Sequence, residues 1–330
     1  MEMFQSLKPV SKSILKDLLA RIHPGVNCNT GDGNMGFVVD VAGELYIFVQ
    51  LVLAASGLFS LCLKSLKLVN FLSEQASNLP ALQFRISFLR AKMENRSNPP
   101  PHVLIFPLPC QGHVNSMLKL AELLSLAGIN ITFLNSEHNH ELLARYTNIE
   151  DRFTKYPGFQ FQTIADGLPV DHPRSGGQLM ELFDAMKLVT KPIFKKILLE
   201  TKPPVNCIIG DGILGFVGDV AIEVGVPIIY FRTVSACSFW AYFSIFDIIE
   251  GGQLPIRGDE DMDRLITKVP GMETFLRCRD LPSFCRVSDM THPNLLLVMD
   301  ETRQSPRAKA LILNTFEDLE GPILSQIRTQ

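Results

Sequence analysis

Short apolar runs alternate with longer segments of helical periodicity from residue 102 onward, and this alternation limits the possible folds more than any other feature. The runs have the length of buried strands and are rich in β-branched and aromatic residues. They are HVLIF (102–106), INITFLN (129–135), FQFQTI (159–164), VNCIIGD (205–211), VPIIYF (226–231) and ALILNTF (310–316). Strands that alternate with helices predict an α/β fold, a doubly wound parallel sheet covered on both faces.

The segments between the runs predict the covering helices. VNSMLKLAELLSLAG (114–128) places apolar residues on one helical face and ends at a glycine. Residues 178–200 are predicted to be helical, with Pro192 kinking or dividing the helix. Residues 213–225 and 236–252 complete the set. In such folds ligands bind at the carboxyl ends of the strands.

The first 44 residues are a partial copy of a later segment. Residues 1–44 align with residues 180–223 without gaps, about half of the positions are identical, and the match stops after Glu44. Solenoid repeats recur at a short fixed period and need three or more units, which does not fit two distant copies. A partial duplication, or a join of neighbouring coding segments, explains the pattern. We therefore expect that 1–44 is not an independent domain and that 93–330, starting at Met93, is one.

Residues 45–92 are predicted to be an apolar segment followed by a linker. The stretch LYIFVQLVLAASGLFSLCL (45–63) has no charged residue and is long enough to cross a bilayer as a helix. A buried helix, or a peptide that does not fold in this context, explains the same composition. Membrane association through 45–63 therefore stays open beside a cytoplasmic location.

Charge and cysteine content exclude several classes of function. The formal net charge of −3 gives no basic surface for nucleic acid. The seven cysteines include no CxxC pair, which argues against both a disulfide framework and a zinc site and favours a reducing compartment. The chain has no GxGxxG and no P-loop, so neither dinucleotide nor ATP binding is indicated.

Two polar residues are expected at the carboxyl ends of predicted strands. His113 follows the first strand through the loop PLPCQG, and Asp211 closes the strand VNCIIGD. A neutral imidazole is a suitable general base near neutral pH, and a buried carboxylate on its other nitrogen fixes the tautomer. The pair could remove a proton from a hydroxyl group. A structural loop histidine and a helix-capping aspartate explain the same residues.

Two further segments have both a functional and a structural interpretation. SEHNH (136–140) offers two histidines in a predicted loop, but no third ligand follows at a convincing spacing, so no metal site is predicted. An aromatic-rich segment could contact an apolar ligand or pack in the core. Its aromatic residues are Phe239, Trp240, Tyr242, Phe243 and Phe246.

Five segments resemble, in the same order, landmarks of the plant UDP-glycosyltransferases of glycosyltransferase family 1. They are HVLIFPLPCQGHVNSMLKLAELL (102–124), DGLPVDHPR (166–174), GDGILGFVGDVA (210–221), RDLPSF (279–284) and ALILNTFEDLEGPIL (310–324). The resemblance covers 93–330 and is strongest to the group that glucosylates iridoids such as 7-deoxyloganetic acid. It implies the Rossmann-like amino-terminal half of a GT-B fold, the half that binds the acceptor.

The resemblance also implies roles for individual residues. The histidine after Gln-Gly deprotonates the acceptor in this family, which corresponds to His113, and the aspartate that orients it corresponds to Asp211. The activated oxygen then attacks the anomeric carbon of UDP-glucose with inversion, and UDP leaves. No metal or other cofactor is implied. The residues expected to contact a small apolar acceptor are Gln111, Gly112, His138, Asn139, Gly212 and Trp240.

The donor-binding half that this family possesses is not found in the sequence. That half contains a box beginning Trp-Ala-Pro-Gln, whereas the single tryptophan here, Trp240, is followed by Ala241 and Tyr242. We therefore expect a truncated UDP-glycosyltransferase that is inactive alone. A non-catalytic module that binds small molecules or a relative, a membrane-tethered protein and a misjoined gene model remain alternatives.

Overall fold

The computed structural model describes residues 100–330, with gaps at 127, 173 and 175–177, together with a two-residue strand at Leu51–Val52. The described residues belong to two compact units. One unit contains the sheet, its covering helices through Phe239, and Asp300–Gly321. The other contains Trp240–Met299 and Pro322–Gln330. Apart from Leu51–Val52, the described residues of both units lie within 93–330, and the prediction that this range is one domain stays a prediction.

Among the described residues, a seven-stranded sheet forms the centre of the first unit. Its strands are β1 (Leu51–Val52), β2 (His102–Phe106), β3 (Asn130–Ser136), β4 (Phe159–Ile164), β5 (Cys207–Asp211), β6 (Ile228–Arg232) and β7 (Ala310–Leu313). The spatial order is β1-β7-β6-β5-β2-β3-β4. The six strands from β2 to β7 are parallel, and β1 pairs antiparallel with β7 at the edge. The predicted doubly wound α/β fold is confirmed.

The four segments that the periodicity predicts as helical do contain helices, although 236–252 forms two helices instead of one, and four further helices among the described residues were not predicted. They are α1 (Gln111–Leu126), α2 (Glu137–Tyr146), α3 (Ile149–Thr154), α4 (Leu179–Ala185), α5 (Lys191–Glu200), α6 (Gly215–Val224), α7 (Ala236–Phe243), α8 (Ile245–Glu250), α9 (Pro293–Arg303) and α10 (Glu317–Ile327). A π-helical segment, Met186–Thr190, joins α4 to α5 immediately before Pro192. The sequence predicts a kink or a division at this proline, and the structure shows a change from α-helical to π-helical hydrogen bonding just before it, while the backbone stays helical.

The hydrophobic core of the sheet unit lies between α1 and the strands. Val114, Met117 and Ala121 of α1 are buried against Ile105 and Ile209 of the central strands. A periodicity near 3.6 residues puts these α1 side chains on one face, which explains why the helix covers the sheet. Since β2 is central and parallel to both neighbours, its carboxyl end lies between those of β3 and β5.

Close packing on the other side depends on a glycine. A Cβ at Gly218 of α6 would overlap the hydroxyl of Tyr230 on β6, so a larger residue cannot occupy this position without a shift. The Tyr230 side chain is 1% exposed. This contact lets α6 lie directly against the strands that end at the site described below.

Some predictions fall outside the described residues, and one is wrong. The copy at 1–44 and the apolar stretch 45–63, apart from the β1 residues, are not described. Among the described residues, no helix is both long and apolar enough to cross a membrane. The segment SEHNH was predicted as a loop, but Ser136 ends β3 and caps α2, so both histidines lie in the first turns of a helix.

Candidate active site at the carboxyl edge of the sheet

His113 lies in the first turn of α1, directly beyond the carboxyl end of β2. The strand ends at Phe106 and α1 begins at Gln111 after a four-residue loop. The His113 N–H donates to the Cys110 carbonyl at 3.0 Å. The imidazole is 26% exposed, so one side of the ring is open to a ligand.

Asp211 is the last residue of β5 and is 1% exposed. Phe106 of β2 pairs with Gly210 of β5, which brings the carboxylate next to the loop that carries His113. Its Oδ2 accepts the backbone N–H of Leu108 at 3.0 Å, and its Oδ1 accepts that of Ile213 at 3.3 Å. The carboxylate therefore fixes the loops that follow both strands.

The structure brings His113 and Asp211 into contact. His113 Nδ1 lies 2.6 Å from Asp211 Oδ2, the distance of a charge-assisted hydrogen bond. Thr233 Oγ1 lies 3.3 Å from the same ring nitrogen. Since an ionised carboxylate can only accept, Nδ1 bears the proton and Nε2 presents its lone pair. Within the described part of the chain, no residue forms a hydrogen bond with Nε2.

Charge and burial oppose each other at this pair. Burial lowers the pKa of His113, and the Arg232 charge acts in the same direction, but the charge and hydrogen bond of Asp211 outweigh both and raise the pKa above its ordinary value of 6.5. Burial raises the pKa of Asp211, yet His113, the Leu108 N–H and Arg232 together lower it below 3.8. Asp211 is thus ionised at neutral pH, and the imidazole is a stronger base than a free one.

The predicted acceptor residues beside His113 lie at the start of two helices. Gln111 and Gly112 open α1, are both exposed, and a Cβ at Gly112 would meet no atom within 4 Å. His138 and Asn139 lie in the first turn of α2, where the Asn139 N–H donates to Ser136 Oγ at 3.2 Å. Both helices follow strands that end at the same edge as Asp211.

His138 is held in its neutral form. Burial and the charge of Arg174 lower its pKa, against the opposing charges of Asp166 and Glu141. Arg174 itself binds Asp166, and its Nε donates to Asp166 Oδ2 at 2.8 Å. A neutral imidazole can donate one hydrogen bond and accept another, so it suits an uncharged ligand.

The remaining predicted acceptor residues are Gly212 and Trp240. Gly212 directly follows Asp211 and is buried. Trp240 belongs to the second unit, is 3% exposed, donates its Nε1–H to the Pro270 carbonyl at 2.9 Å and stacks on Phe243 with ring centroids 5.5 Å apart. These contacts are those of a packed side chain, while its role toward a ligand stays a prediction.

No group of three His, Cys, Asp or Glu side chains in the described range could hold a metal ion. His140, the second histidine of SEHNH, lies 3.5 Å from Glu150 through Nε2 and packs on Phe161 with centroids 5.3 Å apart. These contacts account for one nitrogen and one face of the ring without a metal.

Sequence reasoning did not single out Thr233 and Arg232, although both contribute to the site. Arg232 ends the buried strand β6 just as Asp211 ends β5. The rule that selected Asp211, a polar residue at the carboxyl end of a buried strand, would also have selected Arg232. The proximity of Thr233 to His113 has no comparable sequence signal.

Curated relatives match most of the described residues. Over 239 residues the chain is 60% identical to a 7-deoxyloganetic acid glucosyl transferase of Catharanthus roseus, and the match covers 70% of this chain and 49% of that protein. It is 39% identical over 242 residues to UDP-glycosyltransferase 85A3 of Arabidopsis thaliana, covering 69% and 49%. The chain spans about half the length of the curated relatives it matches. No protein-family profile matches it.

Solved structures of plant glycosyltransferases share the fold. A UDP-glucose: anthocyanidin 3-O-glucosyltransferase in complex with UDP aligns with a TM-score of 0.53 at 25% identity, covering 71% of this chain and 51% of that one. UGT71G1 of Medicago truncatula complexed with UDP-glucose aligns with a TM-score of 0.53 at 20% identity, covering 70% and 49%. These neighbours are GT-B enzymes, and the aligned part of this chain covers about half of each.

Proposed function

Since the matched part of this chain belongs to the plant UDP-glycosyltransferases, we propose that it forms the acceptor-binding half of such an enzyme, with His113 as the general base. The observation that supports this most directly is the 2.6 Å contact between His113 Nδ1 and Asp211 Oδ2 at the carboxyl edge of the sheet. A base placed at this edge lies where α/β folds bind their ligands.

In the proposed mechanism, each member of the pair has one task. Asp211 accepts the Nδ1 proton of His113, which fixes the tautomer and leaves the Nε2 lone pair to take the acceptor proton. As that proton arrives, the buried carboxylate stabilises the imidazolium that forms. The deprotonated oxygen attacks the anomeric carbon of the UDP-sugar, the bond to UDP breaks, and the sugar is transferred with inversion.

The proposed acceptor is a hydroxyl or carboxyl group of a small terpenoid or iridoid-type molecule, and the proposed sugar is glucose. The name and 60% identity of the Catharanthus roseus relative support both. The residues proposed to contact the acceptor are Gln111, Gly112, His138, Asn139, Gly212 and Trp240.

We propose further that the polypeptide of these 330 residues does not transfer sugar by itself. It has no Trp-Ala-Pro-Gln box, and it matches about half of its relatives. Holding two reactants at attack distance contributes about 7–11 kcal/mol to catalysis, and that contribution requires a bound donor. Without a bound donor, His113 and Asp211 could deprotonate an acceptor, but the acceptor would have no sugar to attack.

A fusion protein tests the proposed function. The 330-residue chain would be followed by the part of the Catharanthus roseus relative that it does not match, and UDP release would be measured with UDP-glucose and a panel of iridoid and terpenoid acceptors. We expect turnover by the fusion and none by the chain alone. Turnover by the chain alone would refute the requirement for a donor half, and a folded fusion that is inactive with every acceptor would refute the assignment.

Calorimetry separates the catalytic proposal from a non-catalytic binding module. This second function is favoured by the fact that the base and the proposed acceptor residues all lie in the chain itself. If acceptors bind to the chain and the folded fusion never releases UDP, the binding module is the better description. If the fusion turns over, acceptor binding by the chain is the first step of transfer.

The proposed location is the cytoplasm. In the part of the chain that the structure describes, the thiols of Cys110, Cys237, Cys278 and Cys285 are free, which suits a reducing compartment. Fractionation of cells that express the full chain tests this. Recovery in the membrane pellet would instead favour attachment through 45–63.

A further inference from the structure

Arg232 is a buried cation at the carboxyl end of β6, next to the strand that ends in Asp211. It is 3% exposed, and no step of the proposed mechanism uses it. Burying a guanidinium is costly unless its donors and its charge are satisfied. Its surroundings therefore need an explanation.

The guanidinium holds the backbone next to the Asp211 carboxylate. Arg232 Nη1 donates to the carbonyl of Gly212 at 2.7 Å, and Nη2 donates to Thr302 Oγ1 at 3.2 Å. The charged group also lies 5.7 Å from the ring centroid of Phe239, within cation–π range. Gly212 is the residue after Asp211, so the first of these bonds fixes the turn in which the carboxylate sits.

The same arrangement explains why position 212 is a glycine. A Cβ there would lie 2.5 Å from Arg232 Cδ and 3.2 Å from its Cγ. The φ angle of Gly212 lies outside the left-handed region, so its backbone conformation alone does not require glycine. The space beside Gly212 is occupied by the arginine side chain.

The charge of Arg232 acts on both members of the pair. It lowers the pKa of Asp211 and also lowers that of His113, against the larger opposite effect of the carboxylate on the imidazole. The other titratable group that faces the pair from the described elements is the Cys110 thiol. Burial and the Asp211 charge raise the pKa of that thiol to about 11, so it stays neutral.

We propose that Arg232 is a positioning residue for the His113–Asp211 pair: it anchors the Gly212 turn and counters the carboxylate charge, so that the imidazole remains available as a base beside an ionised aspartate. Without this cation, Asp211 would favour the imidazolium more strongly, and less of the protein would be in the reactive form at neutral pH. This inference rests on the proposed function of the pair.

Titration of the His113 ring by NMR tests the proposal in the full chain, without any need for turnover. The histidines would be isotopically labelled, and the His113 signal would be assigned by its absence in H113Q. Arg232→Gln removes the charge but keeps a donor for the Gly212 carbonyl, whereas Arg232→Lys keeps the charge and loses the planar fork. His102 lies at the amino end of β2, and its signals report whether each variant is folded.

We expect the His113 titration to move to higher pH in R232Q and to stay near the wild-type position in R232K. Identical titrations in wild type and a folded R232Q would overturn the proposal. If R232Q does not fold, Gly212→Ala takes its place, because the added Cβ displaces the arginine side chain. A smaller shift of the His113 titration to higher pH is then expected in Gly212→Ala. An unshifted titration in this variant would also overturn the proposal.

The fusion protein adds a second readout. Because the base must be unprotonated, the rise of kcat/KM with pH should move to higher pH in R232Q, and R232K should restore it. A role limited to folding would lower activity at every pH without moving the profile. If the fusion is inactive while the NMR shift is present, the proposed function fails and the role of Arg232 in the pair stands.

Discussion

Two histidines, one at the amino end of β2 and one beyond its carboxyl end, show what distinguishes a structural imidazole from a candidate base. His102 starts β2 and is 4% exposed. Its Nδ1 lies 2.8 Å from the Pro203 carbonyl and its Nε2 lies 2.8 Å from Thr132 Oγ1. Because a carbonyl can only accept, Nδ1 bears the proton and Nε2 accepts from the threonine. Both ring nitrogens of His102 are therefore occupied by hydrogen bonds within the fold.

His113 has the same tautomer as His102, but its Nε2 is in a different environment. Its Nδ1 is held by Asp211 at 2.6 Å, but the ring is 26% exposed and no described residue bonds to Nε2. The difference between the two sites lies in the second nitrogen, which is occupied in one and open in the other. A histidine held on one side only is oriented and still able to take a proton.

The largest expected effect is the loss of turnover when His113 is changed. In the fusion protein, His113→Ala should lower kcat/KM by roughly 10²–10⁴-fold because proton removal from the acceptor is lost. His102→Ala should leave the activity of the folded fraction within a few-fold. Steady-state UDP release, normalised to folded protein, provides the measurement. Equal losses in the two variants would abolish the distinction between the two histidines.

Asp211→Asn tests whether orientation of the ring requires a charge. The amide is similar in size, but it can present either a donor or an acceptor to Nδ1, so the tautomer is no longer fixed. We expect a loss of about 10²-fold in kcat/KM in the fusion protein. NMR titration should show the pKa of His113 falling in this variant, since the Asp211 charge raises it. A rise would mean that another group stabilises the imidazolium.

The parts of this site that the sequence predicts are those that follow from strand order. Parallel strands that alternate with helices place the ends of β2 and β5 at one edge, so His113 and Asp211 could be expected near each other before any coordinates were known. The irregular hydrogen bonding just before Pro192 was also predictable, because proline cannot donate to the helix. The order of the strands was enough in the first case, and the chemistry of one residue was enough in the second.

The remainder depends on contacts between elements distant in sequence. Arg232 reaches Gly212 from the next strand, and nothing in either local sequence records that bond. SEHNH was mistaken for a loop because its histidines and asparagine are weak helix formers. Tertiary context and the Ser136 cap, whose Oγ accepts the Asn139 N–H, override that propensity.

Removal of the His102 ring should affect stability rather than chemistry. His102→Ala leaves the Pro203 carbonyl and the Thr132 hydroxyl without this partner, which should lower the free energy of unfolding by about 1–3 kcal/mol. The matched control is Gln111→Ala, at an exposed position close to His113 in the sequence. It should change the free energy of unfolding by less than about 0.5 kcal/mol. Urea denaturation of the full chain measures both. An unchanged midpoint for His102→Ala would mean that its two contacts are replaced by water at no cost.

The smallest expected effect is the contribution of His113 to the pH dependence of stability. Its folded-state pKa is raised above 6.5, so the stabilisation it gains from Asp211 is fully present below pH 6.5 and is lost as the pH rises through the folded-state value. The difference in unfolding free energy between wild type and His113→Gln should therefore shrink toward alkaline pH, while the difference for Gln111→Ala stays flat. Urea titrations across this range measure both differences. A His113 difference that grew with pH would mean that burial outweighs the carboxylate, so that the ring at the open edge would be a weaker base than a free imidazole.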